Sequence, residues 1–195
     1  MKNLPQNATR ERIMDAAESL FMKKGFSAVK IQHIAEAVNM RHASLYYYVP
    51  KGKEQLFIAV LDRTLQRHKH GMAHKVNEAG DDLQAQAYAV SDWLISQPPI
   101  DMLKIYQTEL RKIDPAISDR MVHELLDALT IPFANALEQA KQRGEITAED
   151  VGTVAMSLIT LVQSVHHIPS QNLPMSRQAF GRQLTDMLLF GIFIR

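Results

Sequence analysis

Residues 31–48 read IQHIAEAVNMRHASLYYY, and this stretch decides the fold. Ile31, Ile34, Ala35 and Val38 recur at helical spacing, so a short helix starts near Ile31 with these residues on its inner face. Asn39 follows, a residue that tolerates the left-handed backbone of a tight turn. A further short helix then runs from about Arg41 to Tyr48, ahead of the chain breakers Pro50 and Gly52. At about 100° per residue, Leu45 and Val49 turn inward while Ala43, Ser44, Tyr46 and Tyr47 turn outward. Ala35, four before Asn39, is small enough to let the two helices approach closely.

Working outward, Thr9 is a predicted helix N-cap, with Ile13, Ala17, Leu20 and Phe21 on one face behind it. Gly25 stands after Lys23 and Lys24, where a helix-ending glycine belongs. From Lys53 a longer amphipathic helix carries Leu56, Phe57, Val60, Leu61 and Leu65. Two short helices joined by a tight turn and packed on a first helix make a helix-turn-helix. Small residues beside tyrosines on its exposed helix suit a major groove. The small side chains permit close approach, and phenol hydroxyls reach phosphates or base edges. The bland reading is a small helical subdomain that merely exposes tyrosines.

Thr9 to Phe57 resembles the N-terminal domain of the TetR family of bacterial repressors. The resemblance rests on Ile13, Ala16, Ala17, Leu20 and Phe21, then on Gly25-Phe26. It continues with Ile31-x-x-Ile34-Ala35-x-Ala37-Val38, Ser44-Leu45-Tyr46-x-Tyr48 and Lys53-Glu54-x-Leu56. It covers about a quarter of the chain. The chain departs from the family pattern in four ways. Asn39 replaces the usual Gly, Lys30 and Arg41 stand where Ser or Thr caps are usual, Val49 replaces an aromatic, and Gly52 resembles an inserted residue. Lys30 and Arg41 are poor caps but add positive charge near helix N-termini, where phosphates bind. The resemblance implies that His42, Ala43 and Ser44 read base edges. It implies sugar or phosphate contacts for Tyr46, Tyr47 and Tyr48, and a phosphate contact for Lys53. Two roles stay open for His42, reading a guanine or capping the helix. Tyr48 leans toward the core by the angle count.

Charge agrees with a DNA-facing front. Residues 1–70 hold 12 Lys and Arg against 6 Asp and Glu, whereas residues 71–195 hold 10 against 15. A basic front and an acidic back suggest that one part meets a polyanion. There is no cysteine, hence no disulfide framework and no thiolate zinc site. No apolar run approaches the length of a membrane span, and Met1 to Ala8 lacks the apolar core of a secretory signal. A cytoplasmic protein is the expectation.

The fold class expected is all-α. A flexible tail spans residues 1–8, a helix-turn-helix domain residues 9–55, and a helical regulatory and dimerisation domain residues 56–195. In the last, Pro98-Pro99 stops a helix carrying Trp93 and Leu94. A second helix carries Met102, Tyr106 and Leu110, and a third runs from about Asp119 to Arg143 with a kink at Pro132. Thr147 is the expected cap of the next helix, and the last runs from about Met175 to Ile194. These final helices carry surplus apolar surface, with Met187 to Ile194 apolar nearly all round. The resemblance implies a homodimer built as a four-helix bundle through Leu158, Leu161, Val165, Leu184 and Leu188. An effector cavity among the fourth to eighth helices would be lined by Trp93, Met102, Tyr106, Phe133 and His166. Each of these, taken singly, is also what an ordinary core contains.

The expected partners are thus a double-stranded operator, a small apolar or aromatic effector and a second copy, with no cofactor and no metal. An enzyme is disfavoured, because there is no Gly-rich phosphate loop, no GxSxG and no carboxylate-bundle iron motif. His70 and His74 share a helix face as solvated side chains, and adjacent His166 and His167 point apart. The alternative is a helical adaptor controlled by a protein partner, which leaves the tyrosines of the third helix unexplained.

Overall fold

The computed structural model describes residues 6–98, 110–112 and 114–191. Among them are eight α-helices and no strand. In chain order these are α1 (Gln6–Lys24), α2 (Ile31–Ala37), α3 (His42–Tyr48), α4 (Gly52–Glu78), α5 (Leu83–Ser96), α6 (Pro115–Gln142), α7 (Val151–Ser164) and α8 (Arg177–Phe190). Met102 and Tyr106 lie outside the described residues, as do Ile192 to Arg195.

Capping chemistry sets most of the ends. Gly25 closes α1 at φ 79° and Asn39 follows α2 at φ 55°, both in the left-handed region. Asn39 therefore does the backbone work of a glycine. Three helix starts differ from the sequence expectation, two of them through a capping side chain. α1 begins at Gln6, so Thr9 lies within it and is not its cap. α6 begins at Pro115, because Asp114 Oδ1 accepts from the Ala116 N–H at 2.9 Å and proline is pre-set for a first helical position. For α7 the cap is Asp150 and not Thr147. Its carboxylate accepts from the Gly152 N–H at 2.9 Å and from the Thr153 hydroxyl at 2.6 Å. α6 runs through Pro132 as one helix.

The chain forms two compact units, Met1–Thr64 with Asp101–Met121, and Leu65–Ile100 with Val122–Arg195. The first division thus falls inside α4, later than residue 55, because Val60 and Leu61 belong to the same core as Phe57. In that core Phe57 meets Phe21 edge-on at 5.3 Å and Phe26 at 4.8 Å, centroid to centroid. Ile13, Ala17, Ile34, Ala35, Leu45 and Val49 close around them. Such aromatic contacts add about 0.5–1.5 kcal/mol each beyond their area burial.

Arg63 of α4 binds α1 by charge. Its guanidinium lies 2.6 Å from Glu18, 2.9 Å from Asp15 and 3.2 Å from Glu11. Glu18 is the partner that matters, since its side chain is 12% exposed against 72% and 66% for Asp15 and Glu11. Arg63→Met takes the guanidinium away from that carboxylate, which keeps the longer bond from the Thr64 hydroxyl at 3.4 Å. It should lower the unfolding free energy by about 2 kcal/mol, a buried-pair cost reduced for the partial exposure of Arg63. Urea denaturation reads this directly. A loss below about 0.5 kcal/mol would put the site in the range of ordinary surface pairs.

The second unit packs α5, α7 and α8 against one another. Gly181 permits the close approach of α8 to α5, because a Cβ there would stand 2.3 Å from Ile95 Cδ1 and 2.8 Å from Ser91 Oγ. Polar clasps flank that contact. The Tyr88 hydroxyl donates to Asp186 at 2.5 Å, and Arg182 engages both oxygens of Asp92, at 2.5 and 3.2 Å. Gly71 makes a similar allowance for Trp93, whose indole would lie 1.9 Å from a Cβ at that position.

Candidate nucleic-acid interface

α3 has only seven residues, too few for a helix to hold alone in water. Leu45 and Val49 hold it by burial, at 0% and 4% exposure. One side chain from outside the motif and one backbone bond within it help set the turn before it. The Arg12 guanidinium donates to the Val38 carbonyl at 3.0 Å, and the Met40 N–H donates to the Ala35 carbonyl at 2.9 Å. Lys30, the residue before α2, offers no side-chain cap. Its own N–H donates instead to His33 Nδ1 at 3.2 Å, so the imidazole fills the acceptor role that Glu or Gln plays in a capping box.

The outer face of α3 is then free of the core. Arg41, His42, Ala43, Ser44, Tyr46 and Tyr47 are exposed, Tyr47 at 73% against 43% for Tyr46. His42 and Tyr46 sit one turn apart and meet edge to face at 5.1 Å, which orients both rings outward as a pair. Tyr48 is half-buried and lines a small cleft with Arg10, Ile13 and Met14, as the angle count suggests. Arg41 occupies the N-cap position with extended backbone and no side-chain cap bond.

Lys53, expected at a phosphate, has a partner inside the fold. Its ammonium donates to the Phe26 carbonyl at 2.9 Å and lies over the Phe26 ring, 4.1 Å from the centroid. A lysine so engaged pins the end of the first turn region to α4. Lys51, which sequence reasoning passes over, is the exposed cation at this helix start. The signal for it was a second lysine two positions upstream in the same breaker segment.

An exposed helix of small, basic and aromatic residues, held from behind by a helix-turn-helix core, has counterparts among known proteins. The model for bacterial regulatory proteins of the tetR family matches residues 13–60. Residues 13–60 thus carry a tetR-type helix-turn-helix domain. Full-length relatives of the chain include HTH-type transcriptional regulators. An uncharacterised HTH-type regulator of Xanthobacter autotrophicus is 27% identical over 95% of this chain and 91% of its own. The nucleoid occlusion factor SlmA of Actinobacillus pleuropneumoniae is 26% identical over 82% and 81%. Among solved structures, AibR in complex with isovaleryl coenzyme A and operator DNA has TM-score 0.71 at 20% identity, covering 95% of this chain and all of AibR. FadR from Bacillus subtilis in complex with stearoyl-CoA has TM-score 0.71 at 19% identity, covering 94% and 99%. At these identities the two structures establish a shared fold.

The side chains expected to line an effector cavity separate into different surroundings. Phe133 is completely buried. Trp93 is half-buried and lines an open groove of about 580 Å³ with Tyr88, Ala89, Lys75 and Arg182. His166 has a structural partner, because its Nε2–H donates to the Leu94 carbonyl at the end of α5, at 3.2 Å. The structure therefore does not gather these three around one cavity. Burial pushes the His166 imidazole below its ordinary value of 6.5, with positive Arg177 and His167 adding to the effect and the Leu94 bond opposing it. Protonation in the fold is then costlier than in the unfolded chain. Stability from this site is complete above pH 6.5 and falls as pH drops through that value toward the lower folded one. Melting temperature measured from pH 8 to pH 5 should show this as a slope that is shallower in His166→Gln. Parallel profiles for the two proteins would remove His166 from the account.

The residues expected at a dimer seam also separate. Leu158 and Val165 are fully buried within their own unit, so they are core and cannot form an outer face. α7 carries apolar residues on two neighbouring faces, and the Leu158 face is the one turned in. Leu161 is exposed at 38%, and Leu184 and Leu188 are half-buried. Met187 and Phe190 are exposed at 49% and 63% in the single chain. Thr153, Met156, Ser157 and Thr160 extend the Leu161–Leu188 surface along α7. Arg177 ties the start of α8 to the end of α7, donating to the carbonyls of Val165 and Ile168. No described helix is long and apolar enough to cross a membrane.

Proposed function

We propose that this regulator binds a pseudo-palindromic operator as a homodimer, represses transcription there, and releases the operator when a small apolar or aromatic effector binds. One observation carries the DNA part of the reading. The outer face of α3 is basic, small and aromatic, while Leu45 and Val49 alone anchor the helix from behind. Arg41, His42, Ala43 and Ser44 would meet base edges near the N-terminus of the recognition helix. Tyr46, Tyr47, Lys30 and Lys51 would hold phosphates, with Tyr48 a secondary contact and Lys53 acting from behind through Phe26. A two-fold dimer would form through the exposed apolar residues Leu161, Met187, Leu188 and Phe190, with Leu184 beside them.

AibR and FadR were solved with acyl-CoA thioesters, which makes an acyl chain the first chemistry to try here. Trp93 and Phe133 stay as candidate effector contacts, with Met102 and Tyr106 among the residues the structure does not describe. Effector action requires different affinities for the operator-bound and released poses, with a coupling of about 1–3 kcal/mol.

The test is selection of bound duplexes from a random pool, followed by titration of the selected operator. Tyr47→Ala should weaken operator and non-specific duplex alike, by about tenfold, which is the expectation for a phosphate contact. Wild-type binding should fall steeply as salt is raised. Unchanged affinity in Tyr47→Ala, with no enriched palindrome from the pool, would sink the assignment of this face.

A further inference from the structure

The turn that aims α3 is reached by a side chain from α1. α2 closes on backbone bonds, in which the Ile34, Ala35 and Glu36 carbonyls accept from the N–H groups of Val38, Met40 and Asn39 at 3.2, 2.9 and 3.1 Å. The Val38 carbonyl lies beyond this set and accepts from the Arg12 guanidinium at 3.0 Å. Arg12 thereby brings its charge to the C-terminal end of α2, where the helix dipole favours a cation. The carboxylates nearest to it in sequence are turned elsewhere, since Glu11 and Asp15 lie 3.2 and 2.9 Å from Arg63.

Two further observations make this bond matter for α3. The anchors of α3, Leu45 and Val49, stand in its second half and just past its end. Its first turn, His42, Ala43 and Ser44, is exposed, and Arg41 before it makes no side-chain cap bond. The direction in which that first turn points is therefore set by the chain entering it, which is the turn that Arg12 holds. Arg12 itself is exposed, whereas its neighbours Ile13 and Ala17 are core, so loss of its guanidinium leaves the packing of α1 in place.

We infer that Arg12 is a positioning residue for operator readout, acting through the Val38 carbonyl to fix the angle of the first turn of α3. The inference rests on the operator reading proposed above. Hydrogen bonds to base edges demand placement within about 0.5 Å, whereas phosphate contacts from long side chains follow a small tilt. Loss of Arg12 thus lowers affinity for the operator and spares affinity for duplex of any other sequence.

The experiment titrates full-length wild type, Arg12→Met and Arg12→Lys with the selected operator and with a scrambled duplex, over a range of salt. Arg12→Met keeps the stem and removes donor and charge. It should bind operator about tenfold more weakly and scrambled duplex within about twofold of wild type, with an unchanged salt slope. Arg12→Lys, whose ammonium can still donate to Val38, should recover most of the loss. Hydrogen exchange of the free proteins should be faster at residues 38–42 in Arg12→Met and unchanged at residues 13–21. Wild-type operator affinity in Arg12→Met overturns the inference. So does an equal loss on both duplexes with the salt slope reduced by about one, the mark of a direct phosphate contact. Unchanged exchange at residues 38–42 overturns it too, as does faster exchange at residues 13–21, which would make Arg12 a general stabiliser. If wild type itself enriches no duplex, the operator reading has failed and the inference falls with it.

Discussion

Leu161→Glu is expected to convert the protein to a folded monomer and to weaken operator binding by about 10²–10⁴-fold, the advantage lost when two linked half-site contacts become independent. Leu161 is exposed at 38%, so a carboxylate there costs the isolated chain little. In a two-fold seam the same carboxylate would be desolvated beside its own symmetry mate, opposite apolar Leu188 and Met187. Leu158→Glu is the contrasting variant. Leu158 is fully buried, so that change should unfold the second unit and not merely separate subunits. Sedimentation gives the oligomeric state, circular dichroism the fold, and operator titration the affinity. A Leu161→Glu dimer that binds operator at wild-type strength would move the interface elsewhere.

The second large effect concerns Gly71. A Cβ at this position would overlap the Trp93 indole at 1.9, 2.3 and 2.4 Å from three ring carbons. Gly71→Ala should therefore cost about 1–3 kcal/mol by overpacking, although alanine is the better helix former by about 1 kcal/mol. Because the clash is with one ring, Trp93→Ala should largely remove it. In a Trp93→Ala background Gly71→Ala should turn neutral or stabilising, a double-mutant coupling of about 2 kcal/mol. Trp93 is the sole tryptophan, so its emission should shift to the red in Gly71→Ala as the ring is driven toward water. Additive losses with unchanged emission would mean the glycine serves some purpose other than seating the indole.

Much of the front domain could be read directly from residues. Leu45 and Val49 against Tyr46 and Tyr47 is a periodicity argument, and burial follows it position by position. Asn39 in the left-handed region follows from side-chain chemistry alone. The behaviour of Lys53 did not follow, because its partner is a backbone carbonyl at Phe26, and carbonyls leave no trace in a sequence. Arg63 was silent for a related reason, since three acidic residues on α1 give no hint of which later cation they face. In the back domain periodicity shows that α7 has two apolar faces but not which one turns inward. Leu158 and Leu161 were thus given one role although the fold separates them. His166 is a similar case. A histidine near aromatic residues suggests a ligand, yet its hydrogen bond to the Leu94 carbonyl makes it a strut between two helix ends.

α3 separates attachment from exposure, with half-buried Tyr48 between the two sets. Leu45, with Val49 just beyond the helix, carries the attachment, and His42, Ala43, Ser44, Tyr46 and Tyr47 are exposed. Surface substitutions away from caps and core usually change stability by no more than about 0.5 kcal/mol. Recognition can therefore drift without a stability toll, and a lineage could exchange one operator for another through neutral intermediates. The same division makes α3 a replaceable reading head, on which residues 42–44 and 46–47 could be randomised together while Leu45 and Val49 are left alone.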